Sequence, residues 1–224
     1  MNYSMVKCLM LKDWYLQRWT IVASIAAGIA SLGIIVSGSK PAFYIGLLLL
    51  ITIVISAGAH LAVSTMVTER KEKTLSFVMS LPISYREYTA AKILVNLILF
   101  LVPWLALVAG SFAIILLAPG VPHGLLPYVA IMATEILVST CFIVAVALIS
   151  ESQGWTIAAI ITGNLALNVI GYFVAHIGSI AQTMGGSTVQ WTPAAVAVLI
   201  SEFTAVSLLL GLSFFFQSRK RDYL

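Results

Sequence analysis

Two glutamates stand where a carboxylate is energetically costly. Glu135 and Glu202 each fall near the middle of a long apolar run. If these runs cross a bilayer, an ionised carboxylate at that depth costs about 2.5–3.5 kcal/mol on insertion scales. Such side chains face a helix bundle or a wet cavity. Two interpretations stay open: a site that lines a substrate or proton pathway, or a protonated carboxyl hydrogen-bonded to a neighbouring helix.

Two polar stripes could line the same pathway. One comprises Thr52, Ser56, His60, Ser64 and Thr68, and the other comprises Asn164, Asn168, Tyr172 and His176. Residues four apart lie on one side of a helix. The candidate cavity-lining residues are therefore Ser56, His60, Asn164 and Asn168, unless the stripes serve only to hydrogen-bond helices together. No metal site is predicted, because His60 has no second ligand at a suitable spacing.

The composition predicts the environment in which these residues act. Over 224 residues the chain is 61% hydrophobic and 9% charged, with a mean hydropathy of +1.06. Soluble domains carry about 25% charged residues. The apolar runs reach the ~20 residues that a helix needs to cross a bilayer, and alternating strand patterns are absent. The sequence therefore predicts an all-α integral membrane protein with one transmembrane domain, residues 1–224.

The apolar runs predict six membrane spans. These are residues 19–36, 42–68, 93–117, 125–149, 155–175 and 193–216. Pro103 should kink the third span. Residues 1–18 are predicted to form an amphipathic helix on the membrane surface, and residues 177–192 the longest outer loop.

The basic residues predict the orientation of these spans. With both termini in the cytoplasm, eleven of the 12 Lys and Arg residues lie inside and only Lys40 lies outside. Short cytoplasmic loops carry such an excess. Because the basic residues stand at span ends, the net charge of +4 does not indicate a nucleic-acid partner. The expected location is a cell membrane, the bacterial cytoplasmic membrane, with the bilayer as the surrounding partner.

The loop at residues 69–92 carries eight of the 20 charged side chains. In its middle, Leu75, Val78 and Met79 follow an i, i+3, i+4 pattern, which predicts a short helix that Pro82 ends. An apolar face on a cytoplasmic loop favours a docking surface. The alternative is a short helix that rests on the lipid surface.

The rest of this loop predicts a firm junction to the third span. Ser84 and Glu87 have the S-x-x-E spacing of a capping box, which starts a helix. Arg86 and Lys92 complete the junction, with Lys92 at the membrane interface. A short helix that ends at Pro82, followed by a second helix that starts at the capping box, predicts a rigid element rather than a flexible linker.

Motifs of enzymes are missing. The chain has no G-x-x-x-x-G-K-[ST] phosphate loop, so it does not bind ATP in the usual P-loop manner. It also lacks H-E-x-x-H and G-x-S-x-G. The chain is therefore not expected to be an enzyme, and ATP-driven transport would need a second polypeptide that supplies the ATPase.

The segment ERKEKTLSFVMSLPISYREYTAAKIL resembles the cytoplasmic signature of ABC type-2 transporter permeases. The matching positions are Glu69, Thr74, Leu75, Leu81, Pro82, Ser84 and Lys92. LMLKDWYLQR, at residues 9–18, is similar to the elbow helix of that family. The chain departs from the family at Lys73, where many members have Gly, and in its modest loop at residues 177–192.

The resemblance implies that the loop carries a coupling helix, which inserts into a groove of an ATP-hydrolysing subunit. Together with the apolar face of the loop, the resemblance gives the predicted docking residues Glu69, Thr74, Leu75, Phe77, Val78, Met79, Leu81 and Pro82. The implied function is that of a permease subunit of an ABC exporter, paired with a second copy or a paralogue. The chain would carry no cofactor, and ATP and Mg would lie on the partner ATPase.

The apolar walls expected of such a pathway favour an amphipathic or hydrophobic cargo, such as a peptide, a lipid or a drug. One alternative is a haem-exporter-type permease, which uses the same kind of ATPase. Another is an ATPase-independent secondary transporter that uses Glu135 or Glu202 as a proton carrier. An inverted repeat with broken helices would favour the latter, and no convincing sequence repeat is found.

Overall fold

The computed structural model describes residues 3–37, 39–71 and 85–218. These residues are largely helical and include no strand. Within them, six helical segments are long and apolar enough to cross a bilayer: Lys7–Val36, Pro41–Val67, Glu87–Leu117, His123–Ser150, Gln153–His176 and Pro193–Gln217. The all-α class and the six long apolar helices are thus confirmed, and they indicate a multi-pass membrane protein.

Eight α-helices are described along the chain. They are α1 (Tyr3–Val36), α2 (Lys40–Ala62), α3 (Thr68–Lys71), α4 (Tyr85–Leu117), α5 (Leu126–Ser150), α6 (Gln153–His176), α7 (Gly178–Met184) and α8 (Pro193–Ser218). A π-helical turn, Val63–Val67, joins α2 to α3 without a break. Ser39 caps α2 by accepting a hydrogen bond from the Ala42 amide at 3.3 Å. Such a cap satisfies an amide that has no partner within the helix.

Helix α1 does not confirm a separate surface helix at residues 1–18. It is continuous from Tyr3 to Val36. Its 34 residues rise about 51 Å at roughly 1.5 Å per residue, which exceeds the ~30 Å hydrocarbon core. No Gly or Pro occurs between Tyr3 and Ala27 to interrupt the helix. The amphipathic segment therefore extends the first apolar helix.

Helix α5 lies at the centre of the bundle. It packs against α6 and α8 on one side and contacts α2 and α4 on the other, while α1 packs against α2 and α4. The largest core cluster includes Leu99 and Phe100 of α4 with Ile136 and Leu137 of α5. Trp104 Nε1 donates to the Ala133 carbonyl at 2.9 Å, which ties α4 to α5. Helix α4 continues through Pro103.

The predicted loop at residues 177–192 contains the short helix α7. Gly124 N, in the turn before α5, donates to the Gly186 carbonyl at 2.9 Å. A Cβ at Gly124 would lie 1.8 Å from the Thr183 carbonyl oxygen. The close approach of these two backbones therefore requires a glycine at position 124.

We expect Gly124→Ala to lower the melting temperature of the detergent-solubilised protein. Because the added methyl meets backbone, the loop must shift, at a cost of roughly 1–3 kcal/mol. Gly185→Ala is the matched control, since a Cβ there meets nothing within 4 Å. Equal melting temperatures for the two variants would contradict the close approach. Thermal unfolding followed by intrinsic fluorescence measures the difference.

Candidate functional site

Four charged side chains meet where α1, α3 and α4 come together. Lys92 Nζ lies 2.8 Å from Asp13 Oδ2 and 2.7 Å from Glu69 Oε2. Lys12 Nζ lies 3.3 Å from Asp13 Oδ1 and also pairs with Glu69 Oε1. We call Lys12, Asp13, Glu69 and Lys92 the four-charge cluster. Its two ammonium groups and two carboxylates balance to zero net charge.

Most of the four-charge cluster is withdrawn from solvent. The side chains of Lys92 and Asp13 are 1% and 3% exposed, and that of Glu69 is 11% exposed. Lys12, at 40% exposure, forms the solvent side. A buried charge is tolerated only where partners compensate its lost hydration. Here each carboxylate contacts both ammonium groups, so the cluster meets that condition.

The cluster sets the ionisation of Glu69. Burial by itself raises the pKa of this carboxyl, but the Lys92 ammonium and the hydrogen bonds from Lys12 and Lys92 outweigh that effect. The pKa of Glu69 therefore lies below its ordinary value of 4.5. Glu69 is the ionised centre that joins α3 to both other helices.

Hydrogen bonds within and between helices continue from the cluster into the bundle. Asn96 Nδ2 donates to the Lys92 carbonyl at 3.0 Å, and Thr65 Oγ1 donates to Asn96 Oδ1 at 3.0 Å. Gln17 Nε2 donates to Ser64 Oγ at 2.8 Å. Ser64 and Thr65 belong to the π-helical turn, where an extra residue alters the rotation of the residues that follow. Helices α1 and α4 are thus each joined by a hydrogen bond to the π-helical turn that continues α2.

The predicted loop residues are only partly within the described structure. Residues 72–84 lie outside it, and with them the predicted docking residues Thr74, Leu75, Phe77, Val78, Met79, Leu81 and Pro82 and the junction residue Ser84. The side chain of Arg86 also lies outside it. Helix α4 begins at Tyr85, with Glu87 in its first turn. Glu69 and Lys92, predicted for docking and for the junction, face each other in the four-charge cluster.

A second site lies between α5, α6 and α8. Glu135 of α5 and Glu202 of α8 line the same cavity, which has a volume of about 430 Å³. The two residues are 4% and 5% exposed. We call this space the carboxyl cavity. The prediction that both carboxyls face the bundle or a cavity agrees with this placement.

The remaining cavity candidates lie elsewhere. Asn164 and Asn168 donate to carbonyls one turn earlier in α6, each at 2.8 Å. Ser56 and His60 are exposed on α2. Of the six predicted cavity residues, the carboxyl cavity therefore brings together only the two glutamates.

Sequence reasoning did not single out Lys12, Asp13 or Asn96 for a shared site. One signal was present, because Asp13 is the only acidic residue before Glu69. An isolated acid beside an apolar run indicates a partner. Its partner Lys92 is 79 positions away, and no local pattern connects the two.

Comparisons with protein-family models, curated proteins and solved structures find no match for the chain. The geometry of the four-charge cluster and of the carboxyl cavity must therefore carry the functional argument.

We expect Lys92→Met to destabilise the fold by about 3–5 kcal/mol, because it removes the buried ammonium group that contacts both carboxylates, Asp13 and Glu69. Lys7→Met is the matched control, since Lys7 is exposed on the same helix as Asp13. Thermal melting in detergent measures both variants. A Lys92→Met protein as stable as Lys7→Met would contradict the stabilising role of the cluster.

A double variant separates charge balance from packing. Asp13→Asn with Lys92→Met removes one charge of each sign and leaves Lys12 with Glu69. We expect it to lose less stability than the two single variants lose in sum, because it leaves no net charge in the cluster. Strict additivity in the same melting assay would contradict coupling between Asp13 and Lys92.

The lowered pKa of Glu69 predicts a dependence of stability on pH. A carboxyl whose folded pKa is depressed stabilises the fold above its unfolded pKa, and this contribution is lost as pH falls through the folded value. The melting temperature should therefore fall as pH decreases below about 5. Glu69→Gln should start lower at neutral pH and show a shallower fall. Parallel melting curves against pH for the two proteins would contradict this assignment.

Proposed function

We propose that the chain is the transmembrane permease subunit of an ATP-binding-cassette exporter. In this proposal it forms the translocation pathway with a second copy or a paralogue, in a bacterial cytoplasmic membrane with both termini in the cytoplasm. A separate ATPase subunit binds ATP and Mg. The resemblance of residues 69–94 to ABC type-2 permeases supplies the hypothesis. The four-charge cluster is the observation that supports it best.

The cluster joins the two ends of the proposed coupling segment. Glu69 precedes residues 72–84 and Lys92 follows them, and their side chains are in contact at 2.7 Å. Asp13 connects the same contact to α1. A displacement of the coupling segment would therefore reach α1, α3 and α4 together.

The cost of separating these charges makes the connection stiff. Removing one partner of a buried ion pair costs about 3–5 kcal/mol, because the other charge is left without compensation. The helices at the cluster should therefore move as one body rather than slide independently. In this proposal Glu69 and Lys92 transmit movement, while Leu75, Val78 and Met79 contact the ATPase.

Polar residues on outward faces support a second permease subunit. Ser56 and His60 on α2 and Asn168 on α6 are exposed in the single chain. Polar groups facing lipid have no water to bind, so they favour protein–protein contact. Covering these faces with another permease subunit would remove them from lipid.

The docking step can be tested by replacing Leu75, Val78 and Met79 together with Asp. We expect the tagged triple variant to lose the P-loop ATPase that co-purifies with the wild-type chain from native membranes. The copurified ATP hydrolysis should fall with it, because charged side chains cannot enter an apolar groove without large desolvation costs. Mass spectrometry and a phosphate-release assay measure the two quantities.

Val189→Asp is the control for this experiment. Val189 is 37% exposed in the loop between α7 and α8, far along the chain from the coupling segment. It should retain the ATPase. Undiminished co-purification and ATP turnover in the triple variant would contradict docking at this segment.

The carboxyl cavity favours a second candidate, a proton-coupled secondary transporter. Two buried carboxyls at one cavity could accept and release protons during transport. Proteoliposomes containing the chain alone distinguish the two candidates. Cargo flux driven by a proton gradient without ATPase would support the secondary transporter and contradict the ABC exporter.

A further inference from the structure

The carboxyl cavity contains two acidic groups at matching depth. Glu135 and Glu202 each stand nine residues after the first residue of their helices. At roughly 1.5 Å per residue, this is about 14 Å along each helix axis. Both α5 and α8 enter the bundle from the end that carries α7. The two carboxyl groups therefore lie at a similar depth inside the bundle and line the same cavity.

Glu202 has no hydrogen-bond partner for either oxygen among the described residues, although both atoms are buried. The hydroxyl of neighbouring Ser201 donates to the Val198 carbonyl at 2.7 Å. An unsatisfied buried polar group destabilises the fold, and more so if it is charged. Both Glu202 oxygens thus lack a hydrogen-bond donor among the described residues, and the cavity is large enough to admit a ligand that supplies one.

The missing donor does not come from a basic side chain lining the cavity. The described lining consists of Glu135, Glu202, three hydroxyl residues and small or apolar residues, with no Lys, Arg or His. Positive charge must therefore come from a ligand if either carboxyl is ionised. An ammonium group fits this requirement, since it supplies both charge and N–H donors.

The shape and walls of the cavity favour an organic cation over a metal ion. Its volume of about 430 Å³ lies within the range of small-molecule sites, about 300–1,000 Å³. Val138, Phe142, Ile170 and Leu209 supply apolar walls. Within residues 3–37, 39–71 and 85–218, no group of three or more His, Cys, Asp or Glu residues could hold a metal ion.

We propose that the carboxyl cavity binds a protonated amphipathic amine, with its ammonium group between Glu202 and Glu135 and its apolar part against Phe142 and Leu209. The amine enters as a cation that pairs with an ionised carboxylate, or as a free base that takes the carboxyl proton. Both routes give the same ammonium–carboxylate pair. This binding does not depend on an ATPase, so its test is separate from that of the proposed function.

Hexylamine and 1-hexanol form a matched pair of probes. They share the apolar chain and differ in the charged head. We expect hexylamine to bind the purified full chain in lipid nanodiscs about 10- to 100-fold more tightly than 1-hexanol, as hydrogen bonds to charged groups imply. Isothermal titration at neutral pH, with empty nanodiscs as the reference for lipid partitioning, measures both.

Two sets of variants assign the binding to the cavity. Glu202→Gln keeps the shape of the side chain and removes its charge, so hexylamine affinity should fall by about 10- to 100-fold while 1-hexanol affinity stays unchanged. Phe142→Ala should weaken hexylamine, because Phe142 lines the cavity. Phe203→Ala should not, because Phe203 adjoins Glu202 in sequence but is 54% exposed. Melting curves without ligand check that each variant is folded.

Three outcomes would overturn the proposal. One is equal affinity of the folded wild-type chain for hexylamine and 1-hexanol. Another is unchanged hexylamine affinity in Glu202→Gln. The third is displacement of hexylamine by Na⁺ or Ca²⁺ at sub-millimolar concentration, which would assign the cavity to an inorganic cation.

Discussion

The structure depends on one constraint: charges that enter an apolar bundle must be neutralised by partners inside it. The four-charge cluster meets this condition, with two carboxylates between two ammonium groups. Removing Lys92 takes a buried ammonium group away from both carboxylates, which costs more than a surface ion pair contributes. The contact therefore fixes how α1, α3 and α4 meet, and Asn96, Thr65 and Gln17 extend that connection into the bundle.

The carboxyl cavity is the counterpart of the four-charge cluster. Glu135 and Glu202 are 4% and 5% exposed, yet among the described residues no basic side chain lines their cavity. The carboxylates of the four-charge cluster thus have ammonium partners, whereas Glu202 has no hydrogen-bond partner in the described part of the chain. This contrast separates a contact suited to holding helices together from a cavity suited to receiving a ligand. In the proposed exporter, the four-charge cluster would transmit movement between helices and the carboxyl cavity would bind cargo.

Residues 3–18 continue into the first apolar helix instead of forming a separate surface helix, and local sequence explains this. Amphipathic residues followed by an apolar run indicate a change of environment, but they do not require a break in the helix. Without Gly or Pro between Tyr3 and Ala27, the hydrogen-bonded backbone continues. Continuity carries Lys12 and Asp13 down to the level of Glu69 and Lys92, so the four-charge cluster itself depends on this long helix.

Sequence alone was enough to predict the helical class, the six long apolar helices and the burial of Glu135 and Glu202, because helix length and the cost of a charge are local properties. The capping box at Ser84 and Glu87 stays a prediction, because Ser84 lies outside the described residues. Only the tertiary structure could pair Asp13 with Lys92, or place Glu135 and Glu202 at one cavity. Those contacts join residues more than 60 positions apart, and helix packing, which no local spacing encodes, decides which faces meet.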